Sequence, residues 1–257
     1  MDNAWETVLA RLHLRAILPV IEDIAPVDQV IKELTAGWNV RIQFQMAGGD
    51  PATTLIFQNG TLKTSREKVP GPKVVLTFKD ARFVNEVFQN KTKKSPTPNI
   101  VALGHLSKLL KLDQVLGRLE HYLRPEEAFL KDPDNLKFCV ELTLKVLAYG
   151  IKEVAEHDPE MRPVVEHLPN GTIEIRVKEG PAVHASIKDG IFSPGIGPAE
   201  KPNAVLEIQD LETAWKMLQG DLDLFAAVGS SRIKIRGLVP LLDGINPLLD
   251  RLSLYLA

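Results

Sequence analysis

The chain has little of what would announce a chemistry outright. A single cysteine, Cys139, stands among 257 residues and cannot form an intrachain disulfide. Its place in the apolar run "LKFCVELTL" reads as a buried, inert thiol, as expected in a reducing compartment. No run approaches the ~18 uninterrupted apolar residues of a membrane span. The opening "MDNAWETVLARLHLRAILPVIEDIA" is broken by Glu6, Arg11, His13 and Arg15 and lacks the basic start and small-residue cleavage site of a signal peptide. A cytoplasmic protein is expected. Charge of one sign is also missing: 31 Lys/Arg against 33 Asp/Glu leave −2, which argues against a dedicated nucleic-acid binder, whose footprint would be strongly basic.

Catalytic constellations are as scarce. The six histidines, His13, His105, His121, His157, His167 and His184, form no HExxH and pair with no cysteine, so no metal site is expected. "EHDPEMRPVVEH" places two histidines among acids and reads as a solvated loop and helix face. "GIGP" at 195–198 opens no helix and is a turn, not a dinucleotide fingerprint. Ser230 and Ser231 lack the glycine-flanked elbow of a nucleophile, and no phosphate-binding loop is present. With no cofactor motif either, the expectation is a protein that is not an enzyme.

What the chain does have is 44% hydrophobic residues, enough for a sizeable core, and an internal repeat. "IQFQM" at 42–46 aligns with "IEIRV" at 173–177, and "PKVVLTFKD" at 72–80 with "PNAVLEIQD" at 202–210. Between them "QNG" at 58–60 matches "KDG" at 188–190, the strongest short hairpin signal. Asp80 and Asp210 then stand as caps before "ARFVNEVFQN" and "LETAWKMLQG", both with helical spacing of apolar residues. Upstream, "LHLRAILPVIEDIA" pairs with "LTLKVLAYGIKEVA". At the ends Gly104 matches Gly237, Arg118 matches Arg251 and Tyr122 matches Tyr255.

Two domains are therefore expected, 1–124 and 131–257, joined by "RPEEAFLKDPDN" with its two prolines and six charges. Helices at the ends of each unit flank a run of strands, which predicts an α+β fold with a mixed or antiparallel sheet covered by helices. The charges divide unevenly. Residues 1–124 hold 17 Lys/Arg against 12 Asp/Glu, leaving 14 against 21 for the rest. Lys91, Lys93 and Lys94 lie where the second unit has Asp221 and Asp223. They read as a solvated loop, as one side of an intramolecular pseudo-dimer interface, or as a contact with anionic membrane headgroups.

Residues 202–252, with "PNAVLEIQDLETAWKMLQG", "DLDLFAAV", "SSRIKIRG" and the leucine-rich end, resemble the sterol-transfer domain of the sterol carrier protein 2 (SCP-2) family. The first unit resembles it less, since "KTKKSPTPNIVALG" replaces the later motif and Asn90 stands in place of Gly220. The resemblance implies two tandem SCP-2-like domains, each a sheet and helices around an apolar tunnel that takes a sterol, fatty acyl chain or isoprenoid-type lipid. It supplies no catalytic residues. The alternative it leaves open is a structural module with filled pockets, accessory to a lipid- or quinone-modifying complex.

By their spacing Trp215, Leu218, Leu222, Phe225, Val228, Leu238, Leu241, Leu242 and Ile245 are the expected lining, each also readable as ordinary core. Pro240, Gly244 and Pro247 are expected to break the last helix into a lid or portal that the first unit, with Ser107 and Gln114, would lack.

Overall fold

In the computed structural model, residues 2–71 and 73–256 are described, together with all their side chains except those of Asp2, Asn3, Leu224 and Phe225. The chain divides into unit 1, Met1–Arg124, and unit 2, Pro125–Ala257. Each is an α+β domain built on one five-stranded mixed sheet.

Unit 1 begins with α1 (Asp2–Leu12), which runs through a π-helical turn, His13–Ile17, and a 3-10 turn, Leu18–Val20, into α2 (Ile21–Ile24). After α3 (Gln29–Thr35) come β1 (Val40–Met46), β2 (Ala52–Gln58), β3 (Thr61–Ser65) and β4 (Val74–Phe78). Then follow α4 (Ala81–Phe88), the two-residue β5 (Thr97–Pro98), a 3-10 helix (Ile100–His105) and α5 (Leu106–Leu123). Unit 2 repeats the order. A 3-10 turn, Phe129–Lys131, precedes α6 (Pro133–His157) and α7 (Arg162–Glu166), and the strands are β6 (Gly171–Val177), β7 (Ala182–Lys188), β8 (Ile191–Ile196) and β9 (Ala204–Ile208). It ends with α8 (Leu211–Gln219), α9 (Leu224–Gly229), β10 (Ile233–Gly237) and α10 (Val239–Leu256).

The two sheets have one topology, β3-β2-β1-β4-β5 and β10-β9-β6-β7-β8. In each the first and fourth strands of the unit are parallel neighbours and every other pair is antiparallel. The register repeats as well: Ile42 lies opposite Val74 as Ile173 lies opposite Ala204. Local chemistry explains the copying. Asn59 and Gly60, then Asp189 and Gly190, all take positive φ, the paired left-handed conformation of a two-residue hairpin turn. Asp80 accepts from the Phe83 amide and Asp210 from the Thr213 amide, capping α4 and α8.

The helix predicted to break does not. α10 is continuous from Val239 to Leu256. Pro240 lies in the first turn, where its missing N–H has no partner to lose. Gly244 is a packing glycine, since a Cβ there would sit 2.6 Å from Leu168 Cδ2. Pro247 is exposed on the outer side while Leu241, Ile245, Leu248 and Leu252 hold the inner stripe buried. A portal made by an interrupted helix is therefore absent.

Each closing helix is tied down by the same three side chains. Asp158 follows α6; its Oδ2 accepts from Arg251 Nε at 2.6 Å and from the Tyr255 hydroxyl at 2.8 Å, and its Oδ1 accepts from the Glu160 amide at 3.0 Å. In unit 1 Asp28 caps α3 through the Ile31 amide at 2.8 Å and accepts from Arg118 Nε at 2.7 Å, with Tyr122 bonded to the same carboxyl. The guanidinium lies over the tyrosine ring in both, 5.7 Å from Tyr122 and 5.4 Å from Tyr255. Burial pushes Asp28 up, but its amide and Arg118 hydrogen bonds outweigh that and hold the carboxyl below its usual range.

Asp158→Ala removes the acceptor shared by Arg251 and Tyr255 inside a largely buried site, so unit 2 should lose about 3 kcal/mol. In a Trp5→Phe/Trp38→Phe background, denaturant unfolding followed by Trp215 fluorescence should show its midpoint falling, with Asp158→Ala and Arg251→Ala far from additive.

Candidate functional site

The inner face of the unit 2 sheet is a set of apolar cross-strand rows, and one row thins out toward both edges, with Ile196 of β8, opposite Val183, 46% exposed at one end. Val183, Ile175, Leu206 and Ile235 are register neighbours across β7, β6, β9 and β10. Val183 and Ile175 are buried, Leu206 is half-buried, and Ile235 is 45% exposed. The opposite face is polar: Arg176 pairs with Glu207 at 2.7 Å and Glu174 at 3.2 Å, and Glu174 also accepts from the Ala199 amide.

Over the β10 edge lie α8 and α9. Asp210 and Asp223 cap them, so Ala214 and Ala227 point into the core and are fully buried. Trp215, Leu218 and Leu222 pack half-buried on the same cluster as Ile175, Ile208 and Ile233. Beyond them Val228, Leu238 and Val239 are 41%, 40% and 52% exposed. The apolar core of unit 2 is thus open along the α8, α9 and β10 edge.

The residues expected from sequence to line a pocket fall into two places. Trp215, Leu218, Leu222, Val228 and Leu238 belong to this open edge, and the side chain of Phe225 lies outside the described residues. Leu241, Leu242 and Ile245 are buried on α10, outside that cluster, with Leu241 against Gly171 at the start of β6. Ile235 and Leu206 were missed, because alternation along a strand marks a face but not how far the face is covered.

At the corresponding place in unit 1 polar and aromatic side chains pack on one another. Asn85, the counterpart of Trp215, is buried and its Oδ1 lies 3.0 Å from His13 Nδ1, while its Nδ2 donates to the Glu6 carbonyl at 3.0 Å. The His13 ring stacks on Phe88 with centroids 5.0 Å apart, and Phe78 meets Phe83 and Phe88 beside it. Burial drives the His13 imidazole down to about 4, against a smaller opposing pull from Asn85. His13 sits in the π-helical turn, a local widening that single-sequence periodicity does not reveal.

A cavity of unit 2, about 930 Å³, lies between the end of α6, α7 and the β7 to β8 turn. Its charged lining is engaged: Arg162 with Glu166, Lys152 with Glu156, Asn170 with Asp189, and Asp158 in the closing clamp. Among the described residues no group of three or more His, Cys, Asp or Glu is placed to hold a metal ion, and no helix is long and apolar enough to cross a membrane. Lys91, Lys93 and Lys94 are all exposed.

No protein-family model and no curated protein matches the chain. Solved structures do. The sterol carrier protein domain 2 of Helicoverpa armigera is 21% identical, with a TM-score of 0.35, over 43% of this chain and 88% of that one. Sterol carrier protein 2 from Yarrowia lipolytica in its apo form is 15% identical, TM-score 0.33, over 43% and 92%. A UbiJ-SCP2 ubiquinone synthesis protein is 12% identical, TM-score 0.33, over 42% and 93%.

The lowered His13 value implies that unfolded unit 1 takes up a proton near pH 6.5 that the folded unit resists until about pH 4. Its contribution is complete above pH 6.5 and falls away across that window as pH drops, by about 3 kcal/mol. Urea midpoints of unit 1 measured between pH 7 and 4 should decline accordingly, and His13→Gln should flatten the decline.

Proposed function

We propose that the chain binds a hydrophobic ligand without acting on it chemically, and that unit 2 is the binding unit. The observation that supports this is the open apolar edge. Trp215, Leu218, Leu222 and Leu206 cover the core only in part, and Val228, Ile235 and Leu238 continue the apolar surface outward. Water against these side chains forfeits about 25 cal/mol for each Å² that a lipid tail would cover. Ligand sites elsewhere have this composition, largely apolar with few polar groups. The sequence resemblance of residues 202–252 to the SCP-2 sterol-transfer domain points to the same ligand class: sterol, fatty acyl chain or isoprenoid-type lipid. Transfer between membranes is the corresponding role, in the cytoplasm, where the buried Cys139 thiol, raised to about 11 by burial, stays reduced and inert.

Unit 1 favours the other reading for itself. His13, Asn85, Phe78 and Phe88 occupy the space over its sheet, so it serves as an interaction module while unit 2 carries the ligand.

Native mass spectrometry of protein loaded with palmitate should give one ligand per chain; none or two would overturn the assignment. Trp215 is the sole tryptophan of unit 2. In a Trp5→Phe/Trp38→Phe background, energy transfer from Trp215 to a fluorescent fatty acid should persist. Ile235→Lys, at an exposed position, should weaken that binding at least about tenfold, and wild-type affinity in this variant would sink the proposed site.

A further inference from the structure

We propose that residues 91–112 of unit 1 form a docking surface for an anionic lipid bilayer. The segment leaves α4, passes through β5 and the 3-10 helix, and enters α5. It holds five lysines, Lys91, Lys93, Lys94, Lys108 and Lys111, and no aspartate or glutamate. It also carries the three most exposed large apolar side chains among the described residues of unit 1, Ile100 at 82%, Leu110 at 81% and Leu103 at 69%, together with Leu106 at 54%.

The fold explains why they face outward. Ile100 is the counterpart of Ile233, which pairs with Ile208 and is 1% exposed. In unit 1 Pro96 and Pro98 lack the N–H groups a full fifth strand needs, and pairing stops at Leu76 with Pro98 and Thr77 with Thr97. The apolar residues that follow no longer enter the sheet. Leu112, Val115, Leu119 and Tyr122 pin α5 by its inner stripe, so Leu106 and Leu110 stay on the outer side.

Exposed leucine and isoleucine among lysines, with no acid between, is the chemistry of a surface that inserts apolar side chains at the headgroup boundary while ammonium groups meet anionic lipid. Two-fold pairing with a second copy would set five lysines against five and repel. The anionic bilayer is the occupant that satisfies both the apolar and the charged groups.

Sedimentation of the full chain with phosphatidylcholine vesicles, with and without phosphatidylglycerol, tests this. Wild type should sediment only with the anionic vesicles, and less so at raised salt. Lys91→Glu/Lys93→Glu/Lys94→Glu and, separately, Leu106→Ser/Leu110→Ser should each lower the partition coefficient at least about tenfold. All five positions are exposed, so thermal melts should match wild type. The proposal is overturned if wild type fails to sediment, sediments equally with neutral vesicles, or if either variant sediments like wild type. Lipid-free self-association abolished by Leu106→Ser/Leu110→Ser would instead make the face a contact between copies. Fluorescent fatty-acid binding should be unchanged in both variants, which separates failure of this surface from failure of the unit 2 site.

Discussion

Each unit depends on a carboxylate placed where a chain reversal and a distant helix meet. A five-stranded sheet with helices on one face has an open end, and the last helix must be held over it by more than leucines, since apolar contacts set depth but not rotation. Asp28 and Asp158 solve this with directional bonds. Each fixes the turn after the first helical stretch through a backbone amide, and each receives an arginine from the closing helix. The tyrosine one turn further, bonded to the same carboxyl and lying under the guanidinium, sets the helix rotation. Because the aspartate side chains are buried, about 2% exposed in both, the alternative to pairing is an uncompensated charge, and the arrangement tolerates no slippage.

How much of this could be read from the chain alone depended on whether the signal was local. Hairpin turns, the Asp80 and Asp210 caps and the strand alternation are set by neighbours in sequence, and all stand as read. The matches of Arg118 with Arg251 and Tyr122 with Tyr255 were visible, but their partner aspartates lie 90 and 93 residues away. Nothing local marks Asp28 or Asp158 as more than a turn residue. Proline and glycine misled for the same reason. In α10 their effect is decided by where the first turn begins and by Leu168 packing on Gly244, neither of which spacing reveals. Gly104 and Gly237 align, yet a Cβ at Gly237 would collide with the Asn203 carbonyl, while nothing lies within 4 Å of one at Gly104.

The two units clothe one architecture with different side chains. Over the unit 2 sheet the side chains facing the edge are Trp215, Leu218 and Leu222, large and only partly covered. Over the unit 1 sheet the same layer closes with a histidine and an asparagine that satisfy each other, wedged against phenylalanines. A buried polar pair of that kind requires complete hydrogen bonding, and Asn85 obtains it from Glu6 on α1.

The fifth strand shows how small a change separates the two outcomes. In unit 2, β10 continues the sheet for five residues, and its inner-facing Ile235 reaches the edge as part of an inward apolar row. In unit 1 two prolines end the strand after two residues, and the following helical turns carry Ile100 and Leu103 to the outside. The apolar residues stand at matching positions, but only in unit 2 does a full fifth strand turn them inward. Burying a leucine or isoleucine is worth roughly 1.5–3 kcal/mol relative to leaving it exposed, and unit 1 forgoes that gain at Ile100, Leu103 and Leu110, which stay in water.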